Sequence, residues 1–167
     1  MSNNIFKQYY SPWRYPSNWI KNIRLFFRRY KWAYQRAKRG FADCDAWNMD
    51  GWILNLFHDS LSYLADNHYG YPGNDEYPTD EAWTAQLKEL AQLFYQANES
   101  NEYYPTPAAN KWWEWVKAHP VTFGDAREEG PYDKAMIEEA NRNDKMRDAD
   151  FHHAWNIMGS LFNNLWD

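Results

Sequence analysis
The chain has 167 residues, enough for one domain with a core of its own, and its single cysteine, Cys44, excludes an internal disulfide. No apolar run approaches membrane-spanning length, and Met1 to Ser17 is aromatic and polar, without the apolar core of a signal peptide. The net charge of −5 conceals a split: residues 1–42 carry 10 Lys or Arg and no Asp or Glu, whereas residues 43–167 carry 8 against 23.

That split has two readings. A basic segment can neutralise acidic ones in the same domain, the reading favoured here, or it can form a patch for phosphate, nucleotide or nucleic acid. Aromatic side chains make up 20% of the chain, including 11 Trp, so the core must be built largely from rings. Ring N–H and O–H groups need partners, and some rings will reach the surface.

In chain order, residues 1–16 form an aromatic arm without helical period, expected to wrap onto the helices. Ser17 is placed to cap a helix that ends near Arg39. Ile20, Ile23, Phe27, Tyr30, Tyr34 and Ala37 make its apolar stripe, and Lys21, Arg24, Arg28, Lys31, Gln35 and Lys38 a basic one. A third line, Leu25, Arg29, Trp32, Arg36 and Arg39, interleaves guanidinium groups with a large ring. Such a line suits a planar anion through bidentate hydrogen bonds and stacking, or is a solvated basic face.

Gly40 closes this helix in the left-handed conformation, and Asp43 or Asp45 caps the next. Asp50 falls among Trp47, Met49, Trp52 and Ile53, where a carboxylate needs a partner. Arg36 or Arg39 would supply it as a structural salt bridge; the alternative is a polar group facing a ligand. The second helix, about 45–65, is apolar almost all round and is expected at the centre of the fold, with His58 a satisfied core histidine.

Residues 67–79 form a loop whose His68, Tyr69, Tyr71 and Tyr77 either wall a pocket or pack as a lid. Thr79 caps a third helix with Trp83, Leu87, Leu90, Ala91 and Phe94 on one face, ending near Asn98. A short helix, 108–117, carries Trp112, Trp113 and Trp115, at least one of which must face something besides the core. A last helix starts near Asp133. Its half from Glu138 to Asp150 reads as solvent-facing, and the stripe Phe151, Trp155, Met158, Leu161, Phe162 and Leu165 as core.

The stretch Arg39-Gly40-Phe41, Asp43, Asp45, Trp47 and Asp50 reads as RG-aromatic-x-D-x-D-x-W-x-x-D. With His68-Tyr69-Gly70-Tyr71-Pro72-Gly73 and the terminal Leu165-Trp166-Asp167, it resembles an uncharacterised family of small proteins from bacteriophage and prophage genomes. The resemblance implies an all-helical protein of about this length, acting in the host cytoplasm. It implies no activity.

Catalytic signatures are missing. Neither Asp148, Asp150, His152 and His153 nor Asp43, Asp45 and Asp50 has a zinc-site spacing. There is no GxSxG, phosphate loop or dinucleotide fingerprint, so no cofactor is assigned. Cys44 lies beside two carboxylates that raise its pKa rather than activate it. A recognition helix after a short turn is also missing, which disfavours nucleic acid.

The expected fold is therefore all-α: one compact bundle of four to six helices with aromatic-rich loops. The candidate ligand-binding residues are Arg24, Arg28, Arg29, Trp32, Arg36, Arg39, Asp43, Asp45, Trp47, Asp50, Tyr69 and Tyr71. Three functions stay open: non-catalytic binding of a small nucleotide-like anion, with a phage setting suggesting sequestration of a host immune signal; inhibition of a host or defence enzyme by protein contact; and hydrolysis of a phosphorylated ligand. No membrane partner is expected, and homo-oligomerisation is left open.

Overall fold
The computed structural model describes residues 19–119 and 130–165, with side chains from residue 23 onward. The aromatic arm and the Ser17 cap lie outside the described residues. Five α-helices appear in order: α1 (Trp19–Arg39), α2 (Met49–Asn67), α3 (Asp80–Ala97), α4 (Pro107–Ala118) and α5 (Asp133–Leu161). Among the described residues there is no strand, and the fold is an all-α bundle. No described helix is long and apolar enough to cross a membrane. The chain divides into two compact units, Met1–Met49 and Asp50–Asp167.

In the first unit, α1 ends as its residues dictate. Gly40 takes a φ of +83°, open only to glycine without strain, and its N–H donates to the Arg36 carbonyl at 2.9 Å. The chain turns through Phe41 and the buried Ala42 into a 3-10 turn, Asp45–Asn48, which leads directly into α2. Neither aspartate caps this start: Cys44 occupies the cap position without a side-chain hydrogen bond. Asp45 turns back instead, because Arg36 and the Ala42 N–H offer its carboxylate three hydrogen bonds.

The second unit is organised around α3, not α2. Trp83, Leu87, Leu90 and Phe94 recur every three or four residues and are all at most 1% exposed. Thr79 caps α3 as expected, its hydroxyl accepting from the Ala82 N–H at 3.2 Å. From α2, only Gly51, Leu54, Leu61 and Ala65 are buried. Its other side carries Asp59, Ser60 and Asp66, whose solvation holds that side in water and leaves Leu56 and Tyr63 exposed with it. Phe57 stacks on Phe94 at 5.0 Å, and the His58 ring nitrogen Nδ1 pairs with the Ala91 carbonyl at 2.9 Å. At the far end of α3, Asn98 is buried and donates to the Gly51 carbonyl at 3.0 Å, tying the helix to the start of α2.

α5 packs along α3 and α4. Of the expected stripe Met158 and Leu161 enter the core and Leu165 packs against it, but the buried line runs through Ala154, which leaves Phe151, Trp155 and Phe162, on the neighbouring side, 38–63% exposed. The first half of α5 departs from expectation, because Glu139 and Asn143 are buried. Glu139 accepts from the Ala108 N–H at 2.9 Å and the Ala109 N–H at 3.0 Å. It thereby supplies the anion that the free amides of the α4 N-terminus attract. Asn143 donates to the Pro105 carbonyl at 3.2 Å.

Candidate functional site
Of the twelve candidate residues, the structure gathers Arg36, Arg39, Asp43 and Asp45 into one clip where α1 meets its turn. Arg36 grips Asp45 with two prongs: Nε donates to Oδ2 at 2.9 Å and NH2 to Oδ1 at 2.5 Å. Asp43 collects Gln35 Nε2 at 2.7 Å, Lys31 Nζ at 3.1 Å and the Arg39 guanidinium. Gln35 also accepts from the Asp43 N–H at 3.0 Å. Arg39 donates from Nε to the Phe41 carbonyl at 2.9 Å, and its guanidinium lies over the Phe41 ring at 4.5 Å.

The electrostatics follow. Burial alone would raise the Asp45 carboxyl, but the Arg36 hydrogen bonds and the Ala42 amide hold it below its ordinary value. The Gln35 amide, then Arg39 and Lys31, hold Asp43 well below the usual carboxylate range. Burial, followed by the charge of Asp45, pushes the Cys44 thiol up, which leaves it a poor nucleophile. The clip therefore pairs its charges internally. The salt bridge expected between Asp50 and Arg36 or Arg39 is not the one formed: Arg36 pairs with Asp45 and Arg39 with Asp43. Asp50 is exposed at the first turn of α2 rather than set among apolar groups.

Arg24, Arg28, Arg29 and Trp32 occupy α1 above the clip. The Arg28 guanidinium lies over the Trp32 ring at 4.8 Å. Arg24 stands one turn earlier, exposed like Arg28, whereas Arg29 and Trp32 are half-buried. Trp47 is 90% exposed, on the 3-10 turn, and not in a core.

Tyr69 and Tyr71 belong to the second unit. Both are exposed, Tyr69 completely. They follow the C-terminal end of α2, and Asp50 lies at its start, about 25 Å away along the helix. These three do not converge. The loop is held by its other residues: the His68 ring pairs with the Gly70 carbonyl at 2.8 Å and the Thr84 hydroxyl at 2.9 Å. Tyr77 is buried against Trp83, and burial with its bond to Glu76 pushes its hydroxyl up to about 12. Asp150 accepts from the Tyr104 hydroxyl. Among the described residues no group of three or more His, Cys, Asp or Glu could hold a metal ion.

Two polar residues with a clear role escaped sequence reasoning: Gln35, the strongest influence on Asp43, and Glu139. Gln35 sits in a cationic stripe and looks like filler. The signal for Glu139 was Pro107, which opens a helix that has no side-chain cap of its own. Of the α4 tryptophans, Trp112 donates to the Asp133 carboxylate, Trp115 stacks on His119 at 4.7 Å, and Trp113 faces outward, 54% exposed. Compared with family models, with curated proteins and with solved structures, the chain finds no significant match in any of the three.

Proposed function
We propose that this is a non-catalytic binding protein that takes a nucleotide-like anion on the basic face of α1. The observation that carries the reading is the Arg28 guanidinium over the Trp32 ring, with Arg24 one turn away. Among the described residues neither Arg24 nor Arg28 forms an ion pair. A guanidinium over a ring is held by the ring's negative face and can still offer N–H groups to phosphate, and that contact reduces the entropy lost when it binds. The neighbouring clip contributes rigidity, not binding, because its cations are already committed to Asp43 and Asp45. In the bacteriophage setting that the RG-aromatic motif suggests, the anion would be a host immune signal that the protein sequesters.

A second reading, contact with a host protein, is favoured by the outward-facing Trp47 and Trp113, since aromatic rings anchor protein interfaces. A thermal-shift screen against cyclic oligonucleotides, ADP-ribose derivatives and common nucleotides separates the two. A ligand at one hundred times its dissociation constant adds about 2.7 kcal/mol. The reading expects a shift from one class, lost in Arg28→Ala, with the ligand recovered unchanged after heat denaturation. Recovery of a cleaved molecule would make the protein a hydrolase. A flat screen would move the function to protein contact.

A further inference from the structure
A different face of α1 has no use in that reading. Ile23, Phe26, Phe27, Tyr30 and Tyr34 are 54–74% exposed and share one side of the helix, away from Arg28 and Trp32. The turn after the helix folds against the other side, where Arg36 holds Asp45 and where Lys31, Gln35 and Arg39 hold Asp43. Trp19–Arg39 contains no Asp or Glu, and cations line the edge of the ring face. Lys38 lies one turn past Tyr34, and Arg24 lies beside Phe27. Among the described residues neither Lys38 nor Arg24 forms an ion pair, whereas Lys31 is held by Asp43.

We propose that this face of α1 docks the protein on an anionic phospholipid surface, with the helix lying in the plane of the interface. Two features match such a surface. The rings would enter the boundary between headgroups and acyl chains, about 5–10 Å deep. The cations along the border would meet the lipid phosphates. Tyr30 and Tyr34 suit that depth, because each joins an apolar ring to a polar tip. From Ile23 to Tyr34 the face covers eleven helical steps, about 16 Å, so several rings enter side by side. Charge decides the occupant. A second copy of the same face is a poor partner, since two cationic helices with no acid between them repel. An anionic surface covers the rings and neutralises the cations together. No membrane-crossing helix is needed, and none is found among the described residues. Every contact comes from one helix, so the docking needs no fixed placement of the second unit. So many rings left in water on one helix would otherwise invite non-specific association.

Co-sedimentation of the full chain with vesicles tests this, with circular dichroism to confirm that each variant folds. The protein should bind vesicles of phosphatidylglycerol and phosphatidylcholine in equal parts, pass over phosphatidylcholine alone, and release as salt rises. Phe27→Glu, at a position 67% exposed, should abolish binding. Phe26→Gln should weaken it about tenfold, and serves the same purpose if the glutamate variant does not fold. Lys38→Gln should weaken it about fivefold, the loss of one cation at an anionic surface. Arg28→Ala should keep vesicle binding while losing the nucleotide shift, and Phe27→Glu should do the reverse, so the two sites fail separately. A full chain that ignores both vesicle types, binds neutral vesicles equally well, or keeps its binding in Phe27→Glu and Phe26→Gln would overturn the proposal. So would lipid-free dimerisation broken by Phe27→Glu in sedimentation equilibrium, which would give the face to a second copy.

Discussion

The Arg36 side chain clasps Asp45 through two parallel hydrogen bonds, and the carboxylate at their focus is only 5% exposed. Nine residues apart, the two close the turn that ends α1. Asp45 also accepts from the Ala42 N–H at 2.7 Å, so one carboxylate satisfies side chain and backbone together. Breaking such a pair from one side leaves a charge partly withdrawn from water. Arg36→Ala should therefore destabilise the α1 turn by about 2 kcal/mol, between the ranges for exposed and buried pairs. The double variant Arg36→Ala/Asp45→Ala should cost less than the two single losses added. Hydrogen exchange of the amides of 36–48 reads both.

The same clip sets a pH dependence. Asp43 and Asp45 both have folded-state values below their unfolded ones. A depressed carboxyl stabilises the fold above its unfolded value, and that stabilisation is lost as pH falls through the folded value. The loss should begin near pH 4, the ordinary range for aspartate, and deepen with further acidification. Amide exchange of 36–48, followed from pH 7 to pH 2, should accelerate more than expected from intrinsic chemistry. Asp45→Asn should flatten part of that slope.

Glu139 makes a prediction in the second unit. Its buried carboxylate caps the α4 N-terminus in place of Thr106, whose side chain makes no capping bond. Glu139→Ala should cost about 2 kcal/mol, the loss of a cap plus unsatisfied buried amides. Glu139→Gln should cost less, since an amide oxygen still accepts but no longer brings charge to the helix end. Urea unfolding monitored by tryptophan fluorescence measures both, with Trp112 and Trp113 close to the site.

Gly130 lies under a ring. A Cβ built there would fall 2.6 Å from Trp115 Cζ3, inside any real contact distance. Its N–H donates to the Asp133 carboxylate at 2.7 Å, at the start of α5. Gly130→Ala should force Trp115 aside and destabilise the α4–α5 pair by about 1–3 kcal/mol, as overpacking does. A changed near-ultraviolet dichroism with unchanged helix content would report the displacement.

Binding to α1 has a salt signature. If Arg24 and Arg28 hold phosphates, affinity should fall as salt rises, because exposed charges are screened over about 8–10 Å. Arg28→Ala should weaken binding by about 1–3 kcal/mol and reduce the salt slope, whereas Trp32→Phe should weaken it less and leave the slope unchanged. Isothermal titration at two salt concentrations distinguishes the two. Neither variant should alter the Arg36–Asp45 clip.

Much of the fold was legible because local rules decide it. Gly40 ends α1, Thr79 opens α3, and the stripe from Trp83 to Phe94 marks a buried face by spacing alone. That Arg36 and Arg39 would pair with carboxylates after α1 was legible, since guanidinium groups at a helix end seek nearby acids, but the acid expected, Asp50, is not the one they take. Sequence pointed to Asp50 rather than Asp43 and Asp45, because the right choice depends on how the chain folds back through Phe41 and Ala42. Periodicity also misjudged centrality. α2 holds more large apolar residues than one face can bury, and only tertiary packing decided that its Asp59–Asp66 side stays in water. Glu139 shows the converse: a glutamate within a charged run is buried because the amides of another helix end beside it. Spacing along one element determines which residues share a face. Which face is covered, and by what, is a property of elements brought together from afar in the chain.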